Sequence, residues 1–211
     1  MRNLDLIGLN KGTDKSSKGH NYLCYYEMFF DAIRYKPINL LEIGVDKGAS
    51  LLTWHEYFPH SEIHGIDIVE GYEYLHEVGI KTHVVDHSNK ADLIMFGEQH
   101  PQYFDIIIED GSHMSMDSIL TFEILFKYLK SGGFYCYEDA LCDYDGRWNK
   151  GASSIDYFKR LIENVNMSGN IPNDQICANK KEAVKKFGGS YWDLNIEWVF
   201  SSCGLFIIKK V

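Results

Sequence analysis

The sequence predicts an α/β fold: a Rossmann-like doubly wound sheet of seven strands, with helices on both faces and a C-terminal antiparallel β-hairpin. Short apolar runs alternate with amphipathic stretches through most of the chain, the pattern of βαβ units around a parallel sheet. The end of the chain breaks that alternation, because two apolar runs there are joined only by Cys203-Gly204, the mark of a hairpin. With 211 residues, 45% hydrophobic and 24% charged, the chain is expected to form a single domain, 1–211, with a core of ordinary size.

In order, Ile38-Asn-Leu-Leu-Glu-Ile-Gly44 and Ile63-His-Gly-Ile-Asp-Ile68 are short enough to be buried strands. Further strands are expected at Lys81 to Val85, Phe104 to Asp110 and Gly133 to Glu138. Between the last two, Ile119, Phe122, Leu125, Phe126 and Leu129 recur at helical spacing and predict a helix over Ser115 to Lys130. The hairpin strands are Ile196 to Ser202 and Leu205 to Lys209. Ahead of the first strand, Asn21 to Tyr35 holds Tyr22, Tyr25, Tyr26, Phe29, Phe30 and Ile33. This aromatic-rich helix either packs across the sheet or caps a pocket, and residues 1–36 are read as an N-terminal helical cap segment. Residues 167–174 are rich in Ser, Gly, Asn and Pro and predict a loop, and Lys180 to Lys186 a short charged helix.

Composition excludes several classes. Lys and Arg number 21 against 30 Asp and Glu, a formal charge of -9, which repels a polyanion, so nucleic acid is not expected as a partner. No run approaches the ~20 apolar residues of a membrane helix, and MRNLDLIGLNKGTDKSSKGH lacks the apolar stretch of a signal peptide. Five cysteines without a C-x-x-C pair suggest neither a zinc finger nor a disulfide framework. Together these predict a cytoplasmic protein with reduced thiols.

Ligands of open parallel sheets bind outside the carboxyl ends of the strands. There the first strand turns through Glu42-Ile43-Gly44-Val45-Asp46-Lys47-Gly48, two glycines four apart that let a ligand approach the backbone. Neither a dense G-x-G-x-x-G nor a Walker lysine is present, so the site is not built for a pyrophosphate. Asp67 ends the second strand, where a carboxylate can accept hydrogen bonds from a ribose diol, or cap a helix. Asp86-His87-Ser88 follow the third, where an adenine edge would lie, although helix capping explains them equally well.

Strands four and five end in Glu109-Asp110-Gly111-Ser112-His113 and Glu138-Asp139. Neighbouring strand ends would bring Asp110, Glu138 and Asp139 together, and three such carboxylates repel unless a cation joins them. Oxygen donors favour Mg²⁺ or a similar hard ion over zinc. His113 is then free to act as a general base, since imidazoles exchange protons near neutral pH. Taken singly, each residue could instead be a helix cap or a satisfied surface group.

The order Glu-Ile-Gly-x-x-x-Gly, Gly-Ile-Asp, Asp-Gly-Ser-His and Gly-Gly-Phe-Tyr-x-x-Glu-Asp resembles class I S-adenosylmethionine (SAM)-dependent methyltransferases. More narrowly, it resembles the metal-dependent sugar O-methyltransferases of macrolide pathways, of the mycinamicin and macrocin type. Gly12-Thr13-Asp14-Lys15, followed by His20, Tyr22, Tyr26 and Phe30, is similar to the stretch preceding the fold in the mycinamicin relatives. The resemblance implies a SAM site from Thr13, Lys15, Glu42, Gly44, Gly48, Asp67, Asp86 and Ser88. It implies Mg²⁺ or Mn²⁺ on Asp110, Glu138 and Asp139, with His113 deprotonating a metal-bound hydroxyl. The implied reaction is O-methylation of a sugar hydroxyl, on a deoxyhexose such as rhamnose in a glycoside or glycan. By the resemblance, larger relatives are expected to carry an additional N-terminal domain that is not read in these residues, so their assembly is not copied over, and a homo-oligomer rests mainly on the resemblance. Tyr144, Arg147 and Trp148 are read as a substrate-facing loop or an ordinary connection. A catechol, phenol or other small-molecule acceptor, and a non-catalytic SAM- and metal-binding module, stay open as alternatives.

Overall fold

The computed structural model describes residues 3–166 and 180–211; the loop expected at 167–174 lies outside them. The chain runs α1 (Asn3–Lys11), α2 (Leu23–Phe30) with a 3-10 turn at Asp31–Ile33, β1 (Asn39–Ile43), α3 (Ala49–Tyr57), β2 (Glu62–Asp67), α4 (Glu73–His76), β3 (Lys81–Val84), α5 (Lys90–Gln99) and β4 (Phe104–Glu109). It continues through α6 (Ser115–Tyr128), β5 (Leu129–Tyr137), a 3-10 turn at Ala140–Tyr144, α7 (Ser154–Val165), α8 (Lys180–Phe187), α9 (Tyr191–Asn195), β6 (Ile196–Ser202) and β7 (Leu205–Lys210).

The seven strands form one sheet in the order β3-β2-β1-β4-β5-β7-β6. The first five are parallel, while β7 enters antiparallel beside β5 and carries β6 at the edge. This is the expected doubly wound sheet closed by a hairpin. Strand alternation splits the core into two layers. Leu40, Ile106, Ile108 and Ile207 pack against Tyr26, Phe30 and Trp54 on one face. Leu41, Ile107, Tyr135 and Ile208 pack against Phe122, Phe126 and Phe158 on the other.

The sequence places one boundary differently. Helix α6 stops at Tyr128 and β5 begins at once, although the apolar spacing carries the expected helix to Lys130. Leu129 pairs with Phe104, the register then slips before Ile106 meets Phe134, and Gly132 sits at φ 72°. A glycine at positive φ lets the strand absorb the slip, so Leu129 serves the sheet rather than the helix.

Several helix starts are capped as their residues demand. Asn89 accepts from the Ala91 amide at α5, Ser153 from Asp156 at α7, and Ser190 with Asp193 makes a reciprocal box at α9. Among the described residues no helix is long and apolar enough to cross a membrane.

Candidate active site

The parallel register sets Glu109 beside Tyr137, so the segments leaving β4 and β5 start side by side. His113 and Asp139 both adopt left-handed backbone, φ 58° and 52°, which is costly for residues with a Cβ and concentrates at functional sites. The result is convergence: Asp110, His113 and Asp139 each offer a ligand atom within 4.8 Å of the others. His113 Nδ1 lies 3.9 Å from Asp110 Oδ1 and its Nε2 lies 3.8 Å from Asp139 Oδ2. All three line a cavity of about 550 Å³, together with Thr13, Lys15, Gly44 to Lys47, Ser50 and Asp67. That volume is in the range of small-molecule sites.

Gly44 is at φ 88°, and a Cβ there would collide with the Asp110 carbonyl oxygen. The glycine therefore does two things: it turns the chain out of β1 and lets the β4 end close up beside it. Gly48, at φ 68°, starts α3 and lies against Leu75. Asp67 accepts from the Val45 amide at 2.8 Å and the Val69 amide at 3.0 Å, holding the glycine turn to β2 while it borders the cavity.

At the cavity wall Lys15 and Asp110 belong to a charge cluster that the strand-end reading does not anticipate. Lys15, 2% exposed, places its ammonium against Asp110 Oδ2, 2.8 Å from Glu138 Oε2 and 3.3 Å from Glu42 Oε1. Burial works against its charge, but Asp110, Glu138 and Glu42 outweigh it and hold its pKa well above the usual lysine value. Glu42 is fully buried, and Trp54 Nε1 donates to its other oxygen at 2.9 Å. Burial pushes the Glu42 carboxyl up while Lys15 pulls it down.

Glu138 is buried in the same cluster. Tyr26 donates its hydroxyl to Oε1 at 2.6 Å and Lys15 holds Oε2. Tyr22 donates to Asp139 at 2.8 Å, and His20 Nδ1 lies 3.5 Å from the same carboxylate. Helix α2 thus packs in the core, and the hydroxyls of Tyr26 and of Tyr22 at its start reach the carboxylates of the site. The signal in the sequence was a hydroxyl on Tyr22 and Tyr26 where Phe30, four residues on, has none.

Of the remaining expected residues only Trp148 reaches the site. Asp86 and Ser88 bond each other before α5, at 2.6 Å between side chains and 2.9 Å to the Ser88 amide, and do not border the cavity. Trp148 packs edge-on against His113, ring centroids 6.0 Å apart, whereas Tyr144 is 80% exposed and Arg147 pairs with Asp145. Asp143 pins this loop by accepting from Ser115 and Ser153 hydroxyls, each at 2.6 Å, and from the Ser154 amide.

The donors that converge in the cavity lining are two carboxylates and an imidazole, with no thiolate among them, a set suited to a hard divalent cation. The cavity runs from these donors along the Gly44 turn to Asp67, a polar path that suits an extended ligand with a ribose end.

The sheet order and the site at its carboxyl ends define a class I SAM-dependent methyltransferase fold. It agrees with the MycE methyltransferase of the mycinamycin biosynthetic pathway over 99% of this chain and 54% of that one, at 25% identity. The TM-score is 0.85 for the complex with Mg and S-adenosylhomocysteine (SAH), and 0.82 for the complex that also holds mycinamycin VI. In sequence the chain is similar to sugar O-methyltransferases. It is 31% identical over 176 residues to the 8-demethyl-8-(2-methoxy-alpha-L-rhamnosyl)-tetracenomycin-C 3'-O-methyltransferase of Streptomyces olivaceus, covering 77% of this chain and 45% of that protein. It is 29% identical over 177 residues to the L-olivosyl-oleandolide 3-O-methyltransferase of Streptomyces antibioticus, with the same coverage. The chain spans less than half the length of these curated relatives. No family model matches it.

Proposed function

We propose that the chain is a SAM-dependent, divalent-metal-dependent O-methyltransferase acting on a sugar hydroxyl, on a deoxyhexose such as rhamnose in a glycoside or glycan. The observation that carries this reading is the meeting of Asp110, His113 and Asp139 in the lining of the cavity that also takes in the Gly44 turn. The rhamnosyl and olivosyl acceptors named for the relatives support the sugar class. Residues up to 36 are read as a cap segment of one domain, and the setting as cytoplasmic.

In this reading Asp110 and Asp139 hold the cation, with Glu138 behind them, and the Gly44 turn and Asp67 hold the methyl donor. The cation supplies Lewis acidity that stabilises charge developing on an acceptor oxygen; SAM supplies the sulfonium methyl. His113 accepts the hydroxyl proton as the oxygen–carbon bond forms and the carbon–sulfur bond breaks, leaving the methyl ether and SAH. Tyr22 and His20 orient Asp139, and Trp148 braces the His113 ring against rotation. Holding the acceptor in line with the methyl and sulfur contributes the other large part of the acceleration.

Calorimetric titration of SAH and then Mg²⁺, into the wild type and Asp139→Asn, tests the layout. Both should bind the wild type and only Mg²⁺ should be lost in the variant. Absence of SAH binding by folded protein would overturn the methyltransferase reading. His113→Gln should keep SAH affinity and lose about 10²–10⁴-fold in turnover on a rhamnosyl glycoside; unchanged turnover would remove His113 as the base.

A further inference from the structure

Away from the carboxyl ends of the strands, three imidazoles meet on the sheet face that α5 covers. His64 lies in mid-β2, His83 in β3, and His100 directly follows α5. The parallel register sets His83 opposite Ile66, two residues beyond His64, so both rings project from the same face of adjacent strands. His64 Nδ1 and His83 Nε2 are 3.1 Å apart, and the rings are stacked at 12° with centroids 5.3 Å apart. His100 stands edge-on to both, at 5.9 and 5.7 Å. One ring nitrogen of each lies within 4.8 Å of the others.

The surroundings orient these rings as ligands. His100 Nδ1 is 2.9 Å from the Phe96 carbonyl oxygen, which can only accept, so Nδ1 carries the proton and Nε2 keeps its lone pair. His64 is 3% exposed. Its buried Nε2 has no hydrogen-bond partner, and the nearest carboxylate oxygen, Glu62 Oε2, is 3.6 Å away. Nδ1 is the nitrogen turned to His83, and Nε2 points to the Glu62 side. Glu62 is itself held by Tyr103 at 2.9 Å and by Lys81. Phe96, Phe104 and Tyr103 wall the cluster, and His83 borders a groove of about 360 Å³ open to solvent.

We infer that His64, His83 and His100 form a second metal site, for a borderline transition-metal cation of the Zn²⁺ class, distinct from the acidic site. Nitrogens bound to zinc at ~2.0–2.1 Å in a tetrahedron lie about 3.3 Å apart, close to the His64–His83 separation already present. An all-imidazole set selects Zn²⁺, Co²⁺, Ni²⁺ or Cu²⁺ over Mg²⁺. The cation joins β2, β3 and the end of α5, so it acts as a clamp at the β3 edge of the sheet.

The test is titration of Co²⁺ into the Mg²⁺-saturated protein, read by visible absorption and followed by Zn²⁺ displacement. The wild type and Asp139→Asn should both develop the spectrum of a nitrogen-ligated Co²⁺ ion, and Zn²⁺ should abolish it and raise the melting temperature. His83→Gln and His100→Gln should each lose or shift the spectrum; both rings are partly exposed, and a thermal melt without metal confirms that each variant folds. A spectrum absent from the wild type, unchanged in both histidine variants, or lost in Asp139→Asn would overturn the site. The outcome is independent of whether SAH binds.

Discussion

Lys15 carries its charge into a nest of three carboxylates, and a single substitution there exposes the balance. Lys15→Met leaves Glu42, Glu138 and Asp110 without their shared cation, and removing one partner of a buried ion cluster costs about 3–5 kcal/mol. Urea denaturation should show that loss; one below about 1 kcal/mol would mean that the carboxyls take up protons instead. Glu109 shows the opposite case. It is 1% exposed, and burial pushes its carboxyl up to about 8, so the folded protein holds it as a neutral acid at pH 7. Because the folded pKa is raised, the contribution to stability is full below the unfolded value and fades as pH rises through about 8. Glu109→Gln should fold normally and flatten the decline in melting temperature between about pH 4.5 and about pH 8; an equally steep decline would assign it to other groups.

At the level of elements, the turn from β1 into α3 decides whether the cavity exists. Gly44→Ala combines strain at positive φ with a backbone collision at Asp110, whereas Gly71→Ala has positive φ, 107°, and open space. Both should lose about 1–3 kcal/mol to strain, but only Gly44→Ala should also weaken SAH binding in calorimetry. Equal effects on SAH would mean that the close approach does not shape the site. Helix α2 is the other decisive element. Tyr26→Phe removes a buried hydrogen bond to Glu138, and leaving that buried acceptor oxygen without its partner costs about 1–3 kcal/mol, which a denaturation midpoint measures. Each of these elements was legible in the sequence as turn or helix, but its partner was not: Asp110 is 66 residues from Gly44, and Glu138 is 112 from Tyr26.

Over the whole molecule, two apolar layers share one sheet. Trp54 anchors one layer and Phe122 the other, and truncating either to alanine should cost about 3–5 kcal/mol. Since the same strands carry both layers, unfolding followed by tryptophan fluorescence and by far-UV circular dichroism should coincide in one transition. Separate midpoints would divide the sheet into independent units.

What the sequence determined by itself is what depends on local period and on strand ends. Apolar runs and amphipathic spacing announced the parallel strands, the helices between them and the closing hairpin. Topology then required the residues after β4 and β5 to be neighbours, which singled out Asp110, Glu138 and Asp139 with His113 beside them; the fold gathers Asp110, His113 and Asp139 and turns Glu138 to Lys15 and Tyr26. Only the tertiary structure decided where charges and hydroxyls from outside the sheet came to rest. Lys15 and the α2 tyrosines act across more than ninety residues of chain, and no periodicity encodes which carboxylate such a group will meet. The stop of α6 at Tyr128 belongs here too, because the pairing of Leu129 with Phe104 is a property of the sheet rather than of the helix. So does the meeting of His64, His83 and His100, which depends on the β2–β3 register and on the return of α5 across the sheet.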